Sequence, residues 1–191
     1  MVAMADKSVP TSDHIRDIIS FVEASPTSYH AVAELTRRLE QAGFQRLEET
    51  ESWPSVEGRR YVVRDGALIA WITPEKVTPQ LGARIVGSHT DSPSFKLKPN
   101  ATVTNQGWQQ VGMEVYGGGL LNSWLDRDLG LSGRLVTCDG QAHLVRTGPI
   151  LRISQLAPHL DRTVNDDLKL DRQRHLMPIL SVGKPCLLYT S

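Results

Sequence analysis

"RIVGSHTDSPSFKLKP", Arg84 to Pro99, joins a strand pattern to a cluster of chemistry-bearing residues. Ala83–Ser88 has the apolar, β-branched character of a buried strand. It runs straight into His89-Thr90-Asp91, and Pro93 then forces a turn. On a strand, residues i and i+2 share a face, so His89 and Asp91 are expected side by side at the strand's end. Open α/β sheets bind ligands beyond the carboxyl ends of their strands. A neutral imidazole there can ligate zinc, with a carboxylate fixing its tautomer. The same spacing also suits an ordinary turn closed by an Asx-type hydrogen bond, and one histidine cannot hold zinc alone.

Outward from this stretch the period of the apolar residues changes twice. Ile15, Ile18, Ile19 and Val22 recur at helical spacing after a cap at Ser12 or Asp13. A second helix follows Thr27 as N-cap, with Ala31, Leu35, Leu39 and Ala42 on one stripe and Gly43 at the C′ position. "RRYVVR" and "ALIAWI" then flank Asp65-Gly66, and "RLVTC" and "QAHLVR" flank Asp139-Gly140. Both patterns predict β-hairpins. Gly117, Gly118 and Gly119 mark a loop that bends sharply or meets another group closely. "ISQLAPHLDRTVNDD" reads as partly helical, broken at Pro158. The order is an α/β start followed by a β-rich stretch, with a change of domain near residue 100.

Composition narrows the function classes. The chain has 191 residues, 40% of them apolar, with 21 basic and 21 acidic side chains. Zero net charge gives no electrostatic reason to expect nucleic acid or an anionic membrane as partner. No apolar run is long enough to span a bilayer, and the first residues have no signal-peptide pattern. Cys138 and Cys186 are too few for a disulfide framework, and Cys138 reads as an inert core thiol. A reducing, cytoplasmic compartment is expected. "VGSHT" lacks the second glycine of a nucleophile elbow, and "GGGLL" lacks the lysine of a phosphate loop.

Four blocks in order carry a resemblance: "FVEASPTSYHAVAELTRRLEQAGFQRLEE", "VGSHTDSPSFKLKPN", "MEVYGGGLLNSWLDRDLGLSGRL" and "LAPHLDR". Together they resemble the aspartyl aminopeptidase family from about residue 15 to about residue 180. The resemblance implies a cytosolic zinc-dependent exopeptidase with two zinc ions, which removes N-terminal Asp or Glu from peptides. It implies a doubly wound α/β catalytic domain, incomplete here, with a β-rich dimerisation domain inserted into it, and self-association into large homo-oligomers. On that pattern residues 1–10 are a loose leader, 11–99 part of the catalytic domain, 100–180 part of the inserted domain, and 181–191 a divergent tail.

Carried over by position, His89 matches the first zinc ligand and Asp91 the catalytic acid that supports it. His159 matches a histidine that reaches a neighbouring subunit's active site and helps hold substrate; without the resemblance it reads as a helix-face histidine. Trp124, Asp126, Arg127 and Asp128 match a charged stretch in which Arg127 is expected to pair locally. Lys96 and Lys98 read as a solvent-facing strand side rather than a pocket for the acidic side chain. The family's bridging aspartate, its glutamate pair, a further acidic ligand and a final histidine have no counterpart here. The chain is therefore expected to be inactive alone and prone to association. The alternatives are a non-catalytic fragment that binds full-length subunits, and a reading frame with no stable product.

Overall fold

The computed structural model describes residues 11–53, 57–76, 78 and 82–183. The expected leader at 1–10, Cys186 and most of the expected tail lie outside them. The chain divides into two compact units: residues up to Asp91 with Gly133–Leu144, and Ser92–Ser132 with the described residues from Val145 onward.

The first unit opens with α1 (Thr11–Ala24) and α2 (Ser28–Gln41). Thr27 caps α2: its side-chain oxygen accepts the His30 N–H at 3.3 Å. Gly43 takes the left-handed conformation at φ +80°, which ends the helix without a Cβ penalty. The two helices are tied by Arg38, whose guanidinium donates to both carboxylate oxygens of Asp17 at 2.7 and 2.9 Å. Three strands follow: β1 (Gln45–Arg46), β2 (Gly58–Arg64) and β3 (Ala67–Thr73). β1 is parallel to β2, and β2 pairs antiparallel with β3 in unbroken register from Gly58 opposite Thr73 to Arg64 opposite Ala67. The α/β start is present as two helices and a mixed three-stranded sheet.

Ala31, Val32, Tyr61 and Val62 are buried in this unit. The apolar stripe of α1 is not: Ile15, Ile18, Ile19 and Val22 are each more than half exposed. The strand expected at 83–88 is also not formed. Residues 82–89 join no strand among the described residues, and Val86 is 97% exposed. A strand exists only through its partner's hydrogen bonds, so an apolar β-branched run without a neighbour stays irregular.

The second unit is built on β4 (Ser94–Asn105) and β5 (Trp108–Tyr116). They are joined by a tight turn at Gln106-Gly107, both with positive φ. The boundary expected near residue 100 falls inside β4. Pro99 lies where the β4–β5 register slips between Leu97 and Thr102, a place for a residue with no N–H to donate. The chain continues through a 3₁₀ turn (Leu121–Trp124), β6 (Asp128–Leu129), β7 (Ser132–Val136), β8 (Ala142–Arg146), β9 (Leu151–Arg152) and β10 (Ile179–Val182). Five strands make one antiparallel sheet in the order β4-β5-β10-β9-β6, whereas β7 and β8, which lie largely in the Gly133–Leu144 part of the first unit, form a separate two-stranded sheet. Ala101, Val111, Met113 and Leu151 form the core, with Phe95, Leu129, Leu131 and Leu180 packed against it.

The glycine loop behaves as its sequence predicts. Gly117 has φ +74°, and a Cβ there would lie 3.2 Å from the Pro93 side chain. Residues 154–178 are turns and irregular chain, not partly helical. Asp161 Oδ1 accepts the N–H and hydroxyl of Thr163, and Asp171 Oδ1 accepts the N–H groups of Gln173 and Arg174. These side chains take the main-chain donors that a helix would need. Cys138 is exposed beside its turn rather than in a core. Among the described residues no helix is long and apolar enough to cross a membrane.

Candidate functional site

His89 and Asp91 end the irregular segment and stand together in the first unit. The ring nitrogen Nδ1 of His89 lies 2.6 Å from the main-chain oxygen of Asp91 and 3.7 Å from its Oδ1. A carbonyl oxygen can only accept, so Nδ1 carries the hydrogen. In the neutral ring the lone pair is then on Nε2. The group that fixes the tautomer is therefore the carbonyl of Asp91, with the carboxylate beyond hydrogen-bond range of the ring. Both side chains are well exposed, 79% for His89 and 50% for Asp91.

This arrangement tests whether His89 suits zinc. A neutral imidazole whose far nitrogen is held by a carbonyl is a common zinc-ligand geometry. His89 fits as one ligand. The described residues do not complete a site, since no three His, Cys, Asp or Glu side chains gather among them, whereas a catalytic zinc takes about three protein ligands.

His159 belongs to the second unit. It sits exposed on a turn closed by the N–H groups of Leu160 and Asp161 bonding to the Ala157 carbonyl at 2.9 and 3.1 Å. The charged stretch at 124–128 folds differently from the local pairing expected of Arg127. Asp126 and Asp128 meet Arg152 instead, whose nitrogens lie 3.7 and 3.1 Å from the two carboxylates. Arg152 also donates to the Asp126 carbonyl at 3.0 Å. Trp124 packs edge-on against Phe95 with ring centroids 4.8 Å apart. The stretch thus anchors β9 within the second unit. Lys96 and Lys98 are engaged locally: Lys96 Nζ lies 4.7 Å from the centre of the Tyr116 ring, and Lys98 Nζ lies 3.1 Å from Glu114.

Comparison with known proteins places the chain in a class and then in a family. The class it matches is that of the zinc metalloproteases. Residues 21–187 match the family described as aminopeptidase I zinc metalloprotease (M18), and the chain belongs to that family. It is 55% identical over 172 residues to a protein named probable M18 family aminopeptidase 2 from Streptomyces avermitilis, covering 89% of this chain and 40% of that protein. The chain thus spans about 40% of the length of the curated relatives it matches. Among solved structures it is similar to one titled as the cryo-EM structure of the Ape4 and Nbr1 complex. The TM-score there is 0.81 at 35% identity, over 92% of this chain and 35% of that one. It is also similar to the S. cerevisiae mApe1 dodecamer, at TM-score 0.69 and 33% identity, over 77% of this chain and 36% of that one.

Proposed function

We propose that this chain is the N-terminal portion of a zinc aminopeptidase acting on peptides with N-terminal Asp or Glu in the cytoplasm. The observation that carries the reading is the His89 ring, held through Nδ1 with Nε2 left to bind metal. Family membership supplies zinc as the metal, and two ions per subunit follow from the resemblance of the motif blocks. When bound, zinc polarises a carbonyl and lowers the pKa of a water. His89 supplies one ligand, and Asp91 steadies its ring through the carbonyl. His159, exposed on its turn, contributes to substrate binding in a neighbouring subunit. Residues 11–99 supply part of a doubly wound catalytic domain, and residues 100–180 part of the inserted dimerisation domain. Self-association through it accords with a relative solved as a dodecamer.

Residues 1–191 by themselves hydrolyse no peptide on this reading, because one histidine cannot hold the metal and no further ligand groups gather with it among the described residues. The test measures zinc content and aspartyl-arylamide hydrolysis in the full gene product, with and without His89→Ala. Loss of both is expected, and retention of zinc and turnover overturns the proposal. The exposed stripe of α1 favours a second role for the 191-residue chain, association with complete subunits. Co-purification of residues 1–191 with a tagged full-length subunit, without added activity, is the outcome that role requires.

A further inference from the structure

The segment that ends in His89 and Asp91 is almost bare. Among its described residues from 82 to 93, every one is exposed except Thr90. The Thr90 hydroxyl donates to the main-chain oxygen of Gly66 at 2.6 Å, a partly buried bond. Gly66 belongs to the turn between β2 and β3, and that turn is fixed on two other sides. A Cβ on Gly66 would lie 2.7 Å from the Ser28 hydroxyl at the start of α2, so the turn packs tightly against the helix. Asp65, at φ +53°, holds the Arg134 guanidinium by a 2.5 Å bond, and the same guanidinium stacks 4.4 Å from the Tyr29 ring.

We propose that Thr90 is the positioning residue of the His89 site: its hydroxyl clips a solvent-exposed segment onto the rigid Asp65–Gly66 turn. Thr90 stands between the imidazole and the carbonyl that orients it. Fixing residue 90 therefore fixes the path over which His89 folds back onto Asp91. With the clip released, the segment samples more backbone conformations, and the ordered geometry must be recovered each time metal binds. Threonine suits the place because it supplies a hydroxyl while its β-branch restricts χ1.

The inference rests on His89 being a zinc ligand, and the experiment separates the two. In the full gene product, zinc affinity is measured by competition with a chelating dye for wild type, His89→Ala, Thr90→Val, Thr90→Ala and Thr90→Ser. Thr90→Val keeps the shape and loses the donor. Thr90→Ala loses the donor without adding bulk, and serves if the valine variant does not fold. Both are expected to weaken zinc binding about 10-fold, the scale of lost outer-shell support, with Thr90→Ser within about 2-fold of wild type. If His89→Ala loses zinc but both donor-deleting variants bind like wild type, the clip is wrong. If His89→Ala keeps its zinc, the functional reading beneath it is wrong.

Discussion

Glu34, on α2, sits under two arginines. Arg37 donates to its carboxylate at 2.6 and 2.7 Å, and Arg38 at 2.7 Å. These bonds, those from Arg37 first, hold its pKa down to about 2 from an ordinary 4.5. A carboxyl with a lower pKa when folded contributes stability above its ordinary value and loses it as pH falls. Thermal midpoints should drop between pH 4.5 and about 2, and Glu34→Gln should flatten that slope. Tyr61 gives the opposite case. Burial first, and then its 2.6 Å hydrogen bond to Glu40, raise the phenol to about 12 from an ordinary 10.0. Its contribution is complete below pH 10 and is lost as pH rises toward 12. Tyr61→Phe should remove that alkaline loss in a pH series of melts, at a cost of about 1 kcal/mol near neutrality. Residues with a local grammar could be read directly: Thr27 as a cap, Gly43 as a stop. Thr90 could not. A threonine after a strand-like run has no pattern of its own, and its partner Gly66 lies 24 positions earlier. Arg152 was missed for the same reason, because its two aspartates lie in a different segment.

Elements were legible where they close on themselves. The helices and the two Asp-Gly turns needed only a few consecutive residues. The pairing of Gly58–Arg64 with Ala67–Thr73 follows from its two-residue turn. The run at 83–88 has strand chemistry and no partner, so pattern alone placed a strand there that the described fold does not contain. The stretch 153–167 reads as partly helical, broken at Pro158, but it forms turns, because the Asp161 side chain captures the Thr163 main-chain donor first. The glycine loop gives a test at this scale. Gly117 has a positive φ and Pro93 against it, whereas Gly118 has open space around it. Gly117→Ala should destabilise by about 1 kcal/mol or more, and Gly118→Ala by less than about 0.5 kcal/mol, measured by urea unfolding.

At the scale of the molecule, the first unit leaves apolar surface uncovered on α1 and at Ile85 and Val86. Exposed apolar surface of this kind drives association. Residues 1–191 should sediment as more than a monomer, and a variant carrying Ile18→Glu and Val22→Glu should shift the distribution toward monomer. The second unit has a different dependence. β10 lies between β5 and β9, yet it is the last of the described strands, starting at Ile179, 63 residues after β5 ends at Tyr116. Gln109, 3% exposed, secures it by donating to the Gly183 carbonyl at 3.0 Å. As the polypeptide emerges from the ribosome, the halves of this sheet must wait, unjoined, until β10 arrives to bridge them. Assembly of that unit is thus a late, all-at-once event, and a nascent chain stalled before Ile179 exposes two open strand edges to whatever is nearby.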